Sequence, residues 1–281
     1  MYEIIFLFAL ALIWIIFATV QDIKKKEIAN WVNYSLIIFA LGFRFFYSLF
    51  SNDYNFLTQG LIGFGIFFIL GNLFYYLHVF AGGDCKLMIS LGAILPIFDN
   101  VLSNLKLFLF FIGIFFVIGF LYNFFFIIYL SAKNFKVFTE RFKKIFGENK
   151  KYLIPLTILS IIFLILGFVT YFSVLFAIYI LFLSYLIIFV KAVDESCMIK
   201  KIHSRELTEG DWLYKEVKIG KKLIKPLWSG LTKEEILLIK KNKKETFVRR
   251  GIAFAPVFLI SFILFVILLK IGFFKILFKL I

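Results

Sequence analysis

Of the 17 acidic residues in this chain, nine lie in a polar stretch at 192–250, and Glu140 and Glu148 lie in a strongly basic one. Glu3 is near the start, and Asp53 and Asp99 fall in turns between apolar runs. Asp22, Glu27 and Asp84 remain, all at the edges of long apolar segments. An ionisable group in such a place is costly, which makes it a functional candidate by default. Two carboxyl groups that share a water can hydrolyse a peptide bond: the ionised one draws a proton from the water, and the protonated one donates to the carbonyl or the leaving group. Asp22 and Asp84 form such a candidate catalytic pair, and the chemistry calls for no metal or cofactor. The pair would titrate as a unit. Taken singly, each has a plainer reading: Asp84 as the N-cap of a helix after a glycine turn, and Asp22 as a solvated charge beside Lys24, Lys25 and Lys26.

The elements that must bring these two residues together are membrane spans. The chain is 62% hydrophobic and 17% charged, contains 42 Phe and has a mean hydropathy of +0.97, far from the balance of a soluble domain. A bilayer core needs about 20 apolar residues per spanning helix. The expected architecture is an all-α polytopic membrane protein of about eight transmembrane helices, at approximately Tyr2–Val20, Trp31–Phe50, Phe56–Phe80, Lys86–Phe98, Leu105–Leu130, Tyr152–Phe168, Ser173–Val190 and Ile252–Leu269. The first lacks a basic start and a small-x-small cleavage site, so it reads as a span and not as a secretory signal. The segment Ser131–Lys151 carries seven Lys and Arg against two Glu, and Lys24–Lys26 follow the first span, so both are placed on the cytoplasmic side. The same topology puts Asp22 and Asp84 at one membrane edge. Lys270, Lys275 and Lys279 pull the other way, which suggests that the last turns lie along the interface.

Three domains are expected: a membrane core at 1–191, a basic cytoplasmic segment at 192–250 and a C-terminal membrane helix at 251–281. The segment 192–250 holds 15 Lys and Arg against nine acidic residues. It reads either as a basic loop on the inner leaflet or as a small folded appendage. Glu216–Ile224 suggests two short strands around Gly220, and Thr232 with Glu235 has the form of a capping box ahead of Ile236. The net charge of +15 sits beside the membrane without interleaved base-stacking aromatics, which fits attraction to the lipid bilayer and excludes nucleic acid as a partner. Cys85 and Cys197 are isolated, so no structural metal is expected.

Ala81-Gly82-Gly83 before Asp84 provides small residues that permit positive φ and close approach of a substrate backbone. A division of labour follows from helix ends: Asp84 at a helix N-terminus as base, and Asp22 at a helix C-terminus as acid.

Two motifs then resemble the GxGD aspartic peptidases, specifically the type IV prepilin and archaeal preflagellin peptidases. Gln21-Asp22-Ile23-Lys24-Lys25-Lys26-Glu27-Ile28-Ala29-Asn30 is similar to that family's first catalytic segment, with Ala29 where Pro is usual. Gly82-Gly83-Asp84-Cys85-Lys86-Leu87 is similar to the second, with Ala81 in place of the first Gly. The likeness covers residues 1 to about 100. It implies an intramembrane aspartic endopeptidase that removes the leader of a pilin-like or archaellin precursor at the cytoplasmic face of the cell membrane, with Gly82, Gly83 and Lys86 as supporting motif residues. Lys86 also reads as an ordinary side chain snorkelling from a helix edge. His78 reads as an interfacial side chain, and Arg44, inside the second span, is given no role. Residues 22–31 are too short for the Cys-rich insert of relatives that also methylate, so no methyltransferase activity is expected. The alternative is an ion- or proton-coupled transporter using the Asp pair, against which stands the scarcity of other polar residues in the spans.

Overall fold

A computed structural model describes residues 2–167, 170–220, 222–227, 230–243, 245–249 and 251–277. The helices are α1 (Tyr2–Lys25), α2 (Asn30–Ser51), α3 (Asn55–Tyr76), α4 (Gly82–Gly92), α5 (Val101–Lys133), α6 (Phe135–Leu166), α7 (Tyr171–Val193), α8 (Lys233–Asn242), α9 (Ala255–Lys270) and α10 (Phe273–Leu277). Six of them, α1, α2, α3, α5, α6 and α7, are long and apolar enough to cross a membrane. This is an all-α, multi-pass membrane architecture. The expected eight spans are an overcount of full-length helices, because α4 and α9 have only 11 and 16 residues.

Two compact units divide the chain, 1–123 with 252–281 and 124–251. The expected partition at 191 and 250 follows hydropathy, whereas these units follow packing.

In the first unit, α3 and α4 touch through glycine. A Cβ at Gly63 would lie 2.4 Å from Gly92 O and 2.5 Å from Pro96 Cγ. Without a hydrophobic drive between lipid-bathed helices, association depends on such close packing. Gly63→Leu forces the two backbones apart and is expected to cost at least about 3 kcal/mol, the upper end for overpacked sites. A fall in the detergent unfolding midpoint and in membrane level would show it, and an unchanged midpoint would refute this packing.

The fourth expected span, Lys86–Phe98, is corrected at both ends: the helix begins at Gly82 and stops at Gly92. Hydropathy cannot see the stop, because residues 93–98 are also apolar. Pro96 cannot continue the helix, and Arg44, fully buried on α2, takes up the carbonyls left free. Its Nε donates to Ala93 O at 2.8 Å, and its Nη2 donates to Ile94 O at 3.2 Å and Pro96 O at 2.5 Å. Its Nη1 donates to Phe56 O at 2.8 Å, and the guanidinium lies 4.4 Å from the Phe56 ring centre. The arginine thus supplies the donors that a continued helix would have supplied, so the chain can leave helical form inside an apolar unit. Beside it, Asn104 Nδ2 donates to Gln59 Oε1 at 2.9 Å and to Phe98 O, closing the turn into α5.

In the second unit the basic stretch Ser131–Lys151, which falls between two of the expected spans, is helical on both sides of a turn at Asn134. At 1.5 Å per residue, the 33 residues of α5 run about 50 Å, well beyond a core about 30 Å thick. Phe138, Phe142 and Phe146 recur at helical spacing on α6 and pack with Ile145, Leu153, Ile188 and Ala192, so an apolar stripe holds the charged segment in a helix. Ser160 Oγ donates to Ala177 O at 2.8 Å, joining α6 to α7.

After α7, the segment 199–249 is a folded module and not a surface loop. Strands β1 (Ile199–His203), β2 (Trp212–Leu213) and β5 (Glu245–Arg249) form an antiparallel sheet in the order β1-β5-β2, and β3 (Val217–Ile219) pairs with β4 (Lys222–Ile224). The expected strands around Gly220 are therefore present, with Lys221 outside the described residues. The capping box at Thr232 and Glu235 forms with both of its hydrogen bonds and opens α8. Ile202, Leu213, Val217, Ile236, Ile239 and Val248 share one buried core. Asp194 pairs with Arg249 at 2.9 Å.

At the C-terminal end, Gly272 turns the chain with φ +78° between α9 and α10. Lys279, expected near the interface, lies outside the described residues, as do Phe168, Lys244 and Arg250.

Candidate active site

The first unit brings Asp22 and Asp84 together. Asp22 lies in the last turn of α1 and is 7% exposed, and Asp84 lies in the first turn of α4 and is 9% exposed. Their carboxyl groups are close enough to feel one another's charge. Neither plainer reading survives in its simple form. Asp22 is not a solvated charge: its Oδ2 accepts from the backbone N–H of Ala255 at 2.8 Å. Asp84 is not the N-cap of α4, because that position belongs to Ala81.

One contact closes the α1–α2 linker on α1, and three tie the linker and the first turns of α2 to the start of α4. Gln21 Oε1 accepts from Ala29 N at 3.1 Å, Lys86 Nζ donates to Asn30 Oδ1 at 2.5 Å, and Asn33 Nδ2 donates to Gly83 O at 3.2 Å. A Cβ at Gly83 would meet Ile28 Cβ at 3.2 Å, so the two segments touch where glycine leaves room. The expectation of positive φ at Gly82 and Gly83 is not met: both are helical, and the left-handed residues flanking the site are Lys26 (φ 59°) and His78 (φ 59°). Glycine serves contact here, not turn geometry. Lys86 is half-buried and held by Asn30, with its Nζ 5.8 Å from the Tyr34 ring centre, which differs from free snorkelling. His78 is exposed.

The two motif departures are locally unstrained. Ala81 has φ −70° and ψ 162°, ordinary values for an L-residue. Ala29 has φ −64° and ψ 136°, compatible with proline, yet its N–H is used by Gln21. Ala29→Pro loses that bond while stiffening the unfolded chain, two opposed effects of about 1 kcal/mol each. The expected result is an unfolding midpoint and a cleavage rate close to the wild type, and a large loss in either would show that the Gln21 bond matters more than this balance allows.

The C-terminal segment contributes what the sequence reading missed. Pro256, which has no N–H, sits in the opening turn of α9, where a donor would be an orphan, and Ala255 N is left pointing at Asp22. Thr19 Oγ1 donates to Ala255 O at 3.3 Å, and Tyr122 Oη donates to Ala253 O at 3.0 Å. Phe80, just before Ala81, packs with Phe115, Phe254 and Phe258 at ring separations of 5.6, 5.9 and 6.2 Å. Pro256 after a long polar stretch was the available signal for this helix start. Because Asp22 meets the N-terminus of α9 as Asp84 meets that of α4, helix-end electrostatics no longer separates acid from base. Among the described residues, no three His, Cys, Asp or Glu side chains gather closely enough to hold a metal ion.

Residues 9–131 match the Type IV leader peptidase family. Both motifs of the site fall inside the matched residues. Preflagellin peptidases are similar to the chain: that of Methanocaldococcus jannaschii is 36% identical over 32% of this chain and 38% of its own length. That of Methanococcus maripaludis is 31% identical over 49% of this chain and 65% of its own, and that of Methanococcus voltae is 29% identical over 32% and 38%. The chain thus spans between about a third and two thirds of the curated relatives it matches. No solved structure matches it. Nothing in these comparisons supports the transporter alternative.

Proposed function

We propose that this protein is an intramembrane aspartic endopeptidase that removes the leader of an archaellin or pilin-like precursor at the cytoplasmic face of the cell membrane. The observation that carries this reading is the burial of Asp22 and Asp84 within mutual electrostatic range, in the segment that matches type IV leader peptidases. In this mechanism one carboxylate takes a proton from water while the other carboxylic acid protonates the carbonyl oxygen or the leaving amine. Ala255 N–H holds Asp22, and the Phe80, Phe115, Phe254 and Phe258 cluster keeps the surroundings apolar. Lys86 and Asn30 keep the linker against α4, so the two motifs move as one piece. The protein contacts the lipid bilayer, takes a precursor protein as partner and binds no nucleic acid. It carries no methyltransferase activity.

The test uses the purified full chain in detergent with a tagged archaellin precursor, reading products by mass spectrometry. Release of one leader fragment at a single position is expected. An intact precursor after prolonged incubation with folded protein would overturn the reading.

A further inference from the structure

Asn33 on α2 is fully buried, and its Oδ1 has no hydrogen-bond partner. Its Nδ2 is committed to Gly83 O, in the first turn of α4 and one residue from Asp84. The orientation of this amide is fixed by chemistry: exchanging its two atoms would set Oδ1 against the Gly83 carbonyl, acceptor against acceptor. A carboxamide is rigid and planar, so tying Nδ2 to Gly83 O keeps Oδ1 beside the first turn of α4, the turn that carries Asp84. Buried hydroxyls such as that of Ser261 can rotate to find an acceptor, but a carboxamide oxygen can only wait for a donor. An orphaned buried acceptor is destabilising, and apolar Leu has nearly the same shape as Asn. Asn at 33 therefore calls for an explanation beyond packing.

An extended peptide entering an active site presents backbone N–H groups, which lose water on entry and need acceptors. We infer that Asn33 is a substrate-binding residue whose Oδ1 accepts a backbone N–H of the precursor beside the scissile bond. The inference rests on the peptidase reading above and adds to it the group that aligns the peptide against Asp84. The same Asn then fastens α2 to α4 through Nδ2 and the substrate to both through Oδ1.

The experiment is an N-methyl scan. Peptides spanning the leader junction, each lacking one backbone N–H through N-methylation, are cleaved by the full-length wild type, Asn33→Leu and Asn33→Ala in detergent, and kcat/KM is compared. At one position beside the junction the wild type is expected to lose about tenfold, the scale of one hydrogen bond, in excess of the effect at neighbouring positions. Both variants are expected to lose about tenfold on the unmodified peptide and to show no excess penalty at that position. Asn33→Leu should keep an unfolding midpoint close to the wild type, because removal of an orphan acceptor offsets loss of the Nδ2 bond to Gly83 O. Wild-type activity in Asn33→Leu, or N-methyl penalties in the variants that match the wild type at every position, would overturn the inference and leave the peptidase reading standing. A folded wild type that cleaves no unmodified peptide would instead overturn that reading, and this inference with it.

Discussion

Asp22→Asn and Asp84→Asn are each expected to lower leader cleavage by about 10²–10⁴-fold, the range that general acid–base groups contribute. Asn is the informative substitution because it keeps an oxygen acceptor. At position 22 it can still take the Ala255 N–H, and at position 84 it matches the carboxyl in shape, so both proteins should fold. Neither can exchange a proton with water. Since the two carboxyls act as a unit, the double variant should be little worse than either single one. Asp22→Ala removes the acceptor as well and leaves Ala255 N–H unpaired in a buried place, so it should lose stability in addition to activity. Rates from single-turnover cleavage, with unfolding midpoints measured in parallel, separate these effects. A single Asn variant retaining activity within tenfold of the wild type would remove that residue from the chemistry.

The second large effect is expected at Arg44. Replacing it with Met removes the side-chain donor to the carbonyls of Ala93, Ile94 and Pro96, which lie past the end of α4, and to Phe56 O at the start of α3. Losing one partner of a buried charged network costs about 3–5 kcal/mol, enough to deplete the folded protein in membranes. Lysine is a poor substitute, because a single ammonium cannot reach a fan of carbonyls that a guanidinium spans. Gly60 fits the same account: a Cβ there would lie 2.3 Å from Arg44 Cδ, so the arginine occupies space that glycine leaves open. Thermal unfolding of Arg44→Met and Arg44→Lys in detergent is expected to rank Met below Lys and both well below wild type. Equal midpoints would show that water satisfies those carbonyls instead.

What could be read from the sequence was what is local in it. The two Asp motifs are short, and each carries its own chemistry within ten residues. The capping box at Thr232 and the hairpin around Gly220 were visible for the same reason, because turn and cap residues act over three or four positions. The end of α4 was legible only in part: Gly92 and Pro96 work against a longer helix, but the side chain that takes up the freed carbonyls lies 49 positions from Ala93. The helical character of 131–151 was masked by charge, although Phe138, Phe142 and Phe146 held the period. Ala29 and Ala81 looked like defects against the family pattern, but the backbone at both is relaxed. The contribution of α9 was the largest omission, because a backbone N–H has no letter in a sequence.

That N–H also sets an order of events during synthesis. Ala255 follows Asp22 by 233 residues. At a synthesis rate of roughly 5–20 residues per second, roughly ten to fifty seconds separate the appearance of the two. From the synthesis of Asp84 onward, a part-made chain holds both aspartates but lacks the peptide group that seats the first of them. Synthesis of α9, and not insertion of the two motifs, is the step at which a newly made molecule gains the N–H that seats Asp22.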